Sequence, residues 1–342
     1  MGKSTGWAGA GHTVLWGMSP GPRPARLGRM TRIAFVTAIV SAALDEDMPP
    51  LLAACARAGL TADVRAWDDF TVSWARYDAA VLRSPWDYHT RLPEFLRWCE
   101  RVDRVSMLLN PLPVLRWNTD KHYLADLAAQ GVAVVPTRFV EPDAEPLPAL
   151  EAFLAEFPDA GEFVVKPTVS PGSADTQRYA RAQSFAAANH IGRLLDAGRS
   201  AMLQPYLDAV DVHGETALLY FDGVFSHAIR KAALLRPNEA GADHTQVPDA
   251  IAAREPDADE LQLAEAILQA ARARIGDMPL YARVDLIRDA AGRPCLLELE
   301  LAEPSLFFDR APGAADRFVA ALLSRIDARS EAPVTGPGDM IG

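Results

Sequence analysis

Near the carboxyl end, Leu296-Leu297-Glu298-Leu299-Glu300-Leu301 alternates acidic and apolar residues. Side chains on a strand point to alternate faces, so this pattern predicts Glu298 and Glu300 on one face and Leu297, Leu299 and Leu301 on the other. An even-numbered turn back to the preceding strand brings Asp285 to the acidic face. Three carboxylates so placed repel one another unless cations neutralise them. Mg²⁺ suits such a set, because it takes carboxylate and phosphate oxygens together. The ordinary alternative is a solvated strand face, where Glu is common. Arg283, two residues before Asp285, shares its face and can balance charge or grip a substrate.

Two lysines in the middle of the chain complement this acidic strand. Lys166 ends the apolar run Phe163-Val164-Val165-Lys166, and an ammonium at the end of a buried strand seeks an anion. An edge lysine that blocks aggregation is the plain alternative. Lys121 falls in the first turn of an expected helix, where a cation opposes the helix dipole unless an anion binds there too. The polar loop Thr168 to Thr176 offers hydroxyls, one glycine and backbone amides as a phosphate cover, or is an ordinary surface loop.

The elements that must hold these residues are spread over 342 residues, room for two or three lobes. A net charge of −11 argues against a nucleic-acid partner. Cys55, Cys99 and Cys295 are few and odd in number, which fits free thiols in a cytoplasmic protein and neither a disulfide framework nor a zinc site. No apolar run is long enough to span a membrane. Ile33 to Leu44, behind three arginines, imitates a signal peptide, and its start, Ile33 to Ala38, reads better as a first buried strand. Residues 1–29, rich in Gly, Pro and Arg, read as a disordered leader, with Met30 as an alternative start, and residues 329–342 read as a disordered tail. Gly2-Lys3-Ser4-Thr5 lacks the strand and first glycine of a P-loop. The turn after the first strand lacks the glycines of a dinucleotide site.

From 30 to 112 strands near 33–38, 63–66, 79–82 and 106–109 alternate with helices near 48–58 and 92–101, an open α/β lobe. Its ligand crevice is expected at the strand carboxyl ends, where Ser84-Pro85-Trp86-Asp87-Tyr88 makes Asp87 either a substrate contact or a cap in a turn. Residues 113–328 mix helices and antiparallel strands. A helix over 118–131 is capped by Asn118 or Thr119. Strands near 133–136, 163–166, 201–203, 216–221 and 224–231 follow, with helices near 148–157 and 183–197; Asp222-Gly223 marks a hairpin. Residues 236–256 read as a mobile loop, before a helix stopped at Gly276, a hairpin of 281–288 against 295–301, and a helix over 314–328.

Two lysines, a small polar loop and a carboxylate strand in this order resemble the ATP-grasp superfamily over roughly residues 31–328. The resemblance implies a mixed α+β and α/β fold, with a pre-ATP-grasp lobe before an ATP-grasp domain whose two α+β subdomains hold the nucleotide between them. It assigns Lys121 and Lys166 to the ATP phosphates and 168–176, with Ser173, to the mobile phosphate loop, although the family's loop is richer in glycine. Gln204-Pro205-Tyr206-Leu207 looks like the hinge that binds adenine, and Asp211 or Glu215 falls where a ribose-binding acid is expected. Arg230 and Lys231 end a strand that meets phosphate or acyl phosphate. Asp285 and Glu298 match the Mg²⁺ ligands, while Glu300 stands where the family most often has Asn. Ser305 is placed to contact substrate.

Within the superfamily, Arg83-Ser84-Pro85-Trp86-Asp87-Tyr88, Asn118-Thr119-Asp120-Lys121, Ser226-His227-Ala228-Ile229-Arg230-Lys231 and Glu298-Leu299-Glu300-Leu301-Ala302-Glu303-Pro304-Ser305 are similar to the O-ureido-serine cyclo-ligases. The resemblance implies ATP and Mg²⁺, as two ions with Mn²⁺ as an alternative, and a small amino-acid-like substrate. It implies no nucleic acid and no membrane, and is compatible with a homo-oligomer. A substrate carboxylate would be phosphorylated and then attacked by an amine, with Arg230 or Arg283 stabilising the oxyanion. A glutathione-synthase-like peptide ligase and a nucleotide-binding module without catalysis are the rival readings.

Overall fold

The computed structural model describes residues 31–233, 235 and 251–331. Residues 1–30, which include the stretch expected to be a leader, together with most of the expected mobile loop and the last eleven residues, lie outside the described residues. The chain begins with a four-stranded parallel sheet ordered β2-β1-β3-β4, from β1 (Arg32–Thr37), β2 (Thr61–Ala66), β3 (Ala79–Ser84) and β4 (Met107–Leu109). Helices α1 (Met48–Arg57) and α2 (Leu92–Asp103) cover it, each opening with proline at its first positions, where the missing N–H costs nothing. The start of the apolar run that imitates a signal peptide is β1, buried from Ile33 to Thr37, and the rest of the run is a turn with Ile39, Val40 and Leu44 exposed.

The helix expected over 118–131 is α4 (Tyr123–Ala129), which starts later than expected, and a separate α3 (Leu112–Asn118) precedes it. Asn118 is no cap. Its buried amide gives Nδ2 to Leu299 O at 2.8 Å and takes Leu301 N at 2.7 Å. The chain breaks there because Asn118 serves the edge of a distant strand instead of its own helix. Lys121 thereby lies in the link between helices, its amide donating to Thr168 O. The strand expected at 133–136 is a single parallel bridge of Val134 to Leu296.

An antiparallel sheet ordered β5-β8-β6-β7 comes next, from β5 (Arg138–Val140), β6 (Glu162–Pro167), β7 (Gln177–Ala180) and β8 (Ala201–Pro205), backed by α5 (Pro146–Glu156) and α6 (Ser184–Asp196). After the short α7 (Ala209–His213), a five-stranded antiparallel sheet is ordered β11-β10-β9-β12-β13, from β9 (Glu215–Phe221), β10 (Val224–Lys231), β11 (Ile251–Arg254), β12 (Tyr281–Arg288) and β13 (Pro294–Glu300). The end of the expected loop is therefore strand β11. Asp222 and Gly223 both take positive φ, 51° and 77°, and close the β9–β10 hairpin. Gly214, entering β9, is required for space: a Cβ there would lie 2.5 Å from Lys231 O.

Helix α8 (Ala258–Ile275) starts in an Asp257–Glu260 capping box and ends at Gly276 with φ 88°. Helix α9 (Ala314–Glu331) runs past the end expected for it, into the stretch read as tail. One buried cluster joins Phe35 and Leu51 of the first sheet and helix to Phe221, Tyr281 and Phe318 of the last ones. The N-terminal lobe thus shares its core with the C-terminal sheet.

Candidate functional site

The two antiparallel sheets, with the loops that follow β1 and β3, border one cleft of about 970 Å³. Its lining among the described residues includes four cations, Lys121, Lys166, Lys231 and Arg283, and seven carboxylates, Glu46, Asp175, Glu215, Asp285, Glu298, Glu300 and Glu303. The basic groups of the middle of the chain and the acidic groups of the last hairpin therefore meet in one place.

The β12–β13 hairpin supplies the acidic wall. Asp285 pairs with Glu298 and Arg283 with Glu300 across the ladder, so the expected shared face forms. A bulge follows: Asp285 faces Glu298, but Leu286 faces Leu296. The extra residue, Leu297, turns into the cleft lining and does not share a hidden face with Leu299, as the alternation had suggested. It joins Val135, Ile287, Leu207 and Val210 in an apolar patch, whereas Leu299, which also touches the cleft, packs into the core under the sheet. Among the described residues the outer edge of β13 has no further strand. Its amides are satisfied from outside, Leu296 N by Ala133 O, Leu299 N by the Tyr123 hydroxyl and Leu301 N by Asn118. Those contacts carry Lys121 to the acidic wall, where its ammonium lies 3.0 Å from Glu298 Oε1 and donates to Ser170 O at 2.8 Å.

Neutralisation comes from the protein itself. Arg283 donates to Asp285 at 2.9 Å and to Glu300; Lys231 donates to Asp285 at 2.8 Å and to Glu215. Among the described residues no three carboxylate, imidazole or thiol groups converge as a ready-made metal cage. The expected carboxylate crowding is relieved by these cations, because a buried charge is tolerated when paired and hydrogen-bonded. Burial pushes Asp285 up, but Arg283 and Lys231 outweigh it and hold it well below the usual range. Burial also raises Glu298, and Lys121 and Lys166 more than compensate. At Glu300 burial wins over Arg283, and its carboxyl is pushed up to about 8. Burial likewise raises Glu215 despite Lys231.

Lys166, on β6, is 7% exposed, and no described residue hydrogen-bonds its ammonium. Burial lowers its pKa, with Glu298 pulling the other way. Such an ammonium gains from an incoming anion. The loop 168–176 lines the cleft through Ser170 to Thr176, Ser173 included. Thr176 Oγ1 is buried there without a partner, a hydroxyl left for a ligand. Gln204, Tyr206 and Leu207 line the apolar end beside the Leu297 patch. The Tyr206 amide is already given to Glu162 O, and its ring stacks under Arg178, whose guanidinium lies 3.5 Å from the ring centre.

Three sequence-derived candidates are not brought to the cleft. Arg230 precedes Lys231 on β10 and so points to the other face; its guanidinium holds His213 O and Val212 O. Asp87 is a turn residue that accepts from Trp67 Nε1 at 2.8 Å and pairs with Arg91, while its neighbours Trp86 and Tyr88 line the cleft. Asp211 accepts from the Tyr206 hydroxyl at 2.6 Å and is not in the lining; Glu215 is, but Lys231 occupies its carboxylate.

The segment after β13 holds the expected Ser305 together with Glu303 and Phe307, which sequence reasoning missed. Glu303, Ser305 and Phe307 line the cleft, while Pro304, Leu306 and Phe308 are buried behind them. Six successive carbonyls of this strap are each taken by a side chain. Asn110 holds Leu301 O, Tyr281 holds Ala302 O and Trp86 holds Glu303 O. Arg83 holds Pro304 O, Arg283 holds Ser305 O and His227 holds Leu306 O. Their sequence signal is faint, because the six donors are scattered along the chain from Arg83 to Arg283.

A family model described as the N-terminal domain of D-cycloserine synthetase DcsG matches residues 33–110. The cycloserine biosynthesis protein DcsG of Streptomyces lavendulae is 50% identical over 296 residues, covering 86% of this chain and 98% of that protein. The crystal structure of D-cycloserine synthetase DcsG is similar at a TM-score of 0.82 and 49% identity, covering 86% of this chain and 99% of that one. The ATP-grasp ligase PsnB, complexed with minimal precursor, Mg and ADP, shares the fold at a TM-score of 0.58 and 19% identity, covering 86% and 98%.

Proposed function

Because the chain belongs to the D-cycloserine synthetase family of ATP-grasp ligases, we propose that it closes O-ureido-serine to cycloserine through an acyl phosphate made with ATP. The observation that carries this reading is the meeting of Lys121 with Glu298 at 3.0 Å in a cleft that also holds the unpartnered Lys166. In it, Lys121, Lys166 and the Ser173-bearing loop hold the ATP phosphates, and Thr176 is a further donor. The adenine lies in the apolar patch of Val135, Ile287 and Leu297, between Gln204 and Leu207. With the Tyr206 amide committed to Glu162, Leu207 is the hinge residue that meets the purine edge.

The lining is acidic in sum, seven carboxylates against four cations. A triphosphate enters such a lining only with divalent cations. Asp285, Glu298 and Glu300 are hard oxygen donors on adjacent strands and fit Mg²⁺, as two ions with Mn²⁺ as a substitute. When bound, Mg²⁺ neutralises phosphate oxygens and holds them in line for transfer. Lys231 and Arg283 then face the reacting carboxyl group and stabilise the oxyanion formed as nitrogen attacks the acyl phosphate. Ser305 and the strap hold the amino-acid part of the substrate. The phosphate loop excludes water that would hydrolyse the intermediate. No nucleophile of the protein is required.

ADP release measured with O-ureido-serine, single amino acids and amino-acid pairs tests this. Release with O-ureido-serine alone supports cyclisation. Release only with pairs transfers the chain to peptide ligation, and Mg-ATP binding without any release makes it a nucleotide-binding module.

A further inference from the structure

Among the described residues the strap 301–308 has no partner strand, and its turn contains an unfavourable residue. Phe307 adopts φ 51° and ψ 46°, a left-handed conformation that a bulky side chain rarely takes. The two amides that flank it are bracketed by one carboxylate. Asp47 Oδ2 accepts Leu306 N at 2.5 Å, and Asp47 Oδ1 accepts Phe308 N at 2.8 Å. Asp47 comes from the N-terminal lobe, where it immediately precedes α1. Arg83, fully buried at the end of β3, donates to Asp47 Oδ2 at 3.2 Å and to Pro304 O at 3.1 Å. One guanidinium thus ties the carboxylate to the strap that the carboxylate holds. On the far side, His227 must carry its proton on Nε2 to donate to Leu306 O, and its Nδ1 takes the Ser226 hydroxyl.

We propose that Asp47, braced by Arg83, is a positioning residue for the substrate half of the cleft. It fixes the left-handed turn at Phe307, so that Glu303, Ser305 and Phe307 all face the amino-acid substrate. Only a carboxylate offers two acceptors at that separation, and only a planar fork reaches both Asp47 and the Pro304 carbonyl. Neither residue lines the cleft. The N-terminal lobe therefore acts on substrate choice through the backbone of the strap. Lost positioning affects the amino-acid substrate and spares ATP, which lies on the other walls. The inference rests on the ligase reading above.

The test uses the full-length protein with Asp47→Asn, which keeps size and one acceptor, and Arg83→Lys, which keeps charge without the fork. In Asp47→Asn the KM for the amino-acid substrate should rise about tenfold or more while the KM for ATP stays within about twofold, the cost of one misplaced set of hydrogen bonds. Arg83→Lys should show the same split, smaller. Equal losses for both substrates, or a lower melting temperature with unchanged KM values, overturn the proposal; so does failure of both variants to fold. Amide hydrogen exchange separates this failure from failure of the ligase reading. If the unaltered protein releases no ADP, the Leu306 and Phe308 amides should still exchange at least about tenfold faster in Asp47→Asn, with the amides of β13 unchanged. Unchanged protection at those two amides overturns the positioning role by itself.

Discussion

Two walls of the cleft present side chains at a spacing of two residues, and they are built by different rules. On the hairpin wall Asp285, Glu298 and Glu300 are aligned by a strand ladder. On the strap wall Glu303, Ser305 and Phe307 are aligned with no ladder, by carbonyl and amide bonds to seven side chains from scattered positions. A ladder is a local rule, repeated in many folds, and it carries the chemistry that any ATP-driven activation needs. The strap is a sum of tertiary contacts, each changeable alone. Recognition of a particular carboxylate is best placed on the second wall. Arg283 belongs to both, since it grips Asp285 and Glu300 and also the Ser305 carbonyl.

The largest expected effect comes from the hairpin wall. Glu298→Ala should lower kcat by about 10³-fold, the scale for losing preorganised charge at a phosphoryl site. Unaltered circular dichroism would show an intact fold, and near-normal turnover would break the comparison by removing the metal wall. Next is Lys166→Ala. Its buried ammonium has no protein hydrogen bond to lose among the described residues, so the variant should fold. It should weaken ATP binding roughly 10- to 100-fold, the equivalent of one or two charge-assisted bonds. Unchanged nucleotide affinity in calorimetry would return Lys166 to a structural role.

The same contrast explains what the sequence could tell. Acidic residues two apart and the Asp222-Gly223 turn are local signals, but the register of Asp285 on Glu298 depends on the turn after Arg288 and on the bulge together. Lys121 was recognisable by type and order although the helix expected to hold it starts only at Tyr123, since Asn118 is drawn to β13 by contacts nearly two hundred residues away. The bulge at Leu297 was invisible because it needs two strands to define it. Arg230 and Lys231 carry the same charge, and only the strand register decides which one enters the cleft. The strap was the least legible, as its form depends on Asp47, Arg83 and His227 together. Glu303 passed as a neighbour of Ser305.

Glu303 offers a smaller effect that sharpens the strap wall. Burial pushes its carboxyl up to about 7, against the nearby Tyr88 hydroxyl and Lys121. A raised carboxyl is neutral below that value and charged above it. If it receives the substrate ammonium, the KM for the amino-acid substrate should fall several-fold as pH rises through about 7, the size of one exposed-to-buried ion pair. Glu303→Gln should flatten that profile at the higher KM and leave the ATP profile alone. A pH dependence that persists in the variant would move the ammonium site elsewhere on the cleft.

The smallest effect is expected at Arg230, and its smallness is informative. The family resemblance offered Arg230 and Lys231 together as catalytic, but β10 turns adjacent side chains to opposite faces. Lys231 reaches Asp285 and Glu215 inside the cleft, while Arg230 holds the carbonyls of Val212 and His213 outside it. Arg230→Ala should therefore change kcat by less than about twofold and stability by no more than about 1 kcal/mol, as for other partly exposed hydrogen bonds. Lys231→Ala, measured in the same assay, leaves Asp285 and Glu215 without one buried cation and should lose most turnover. A large loss in Arg230→Ala would mean that this strand presents its other face to the substrate, and the hairpin wall would have to be redrawn from that register.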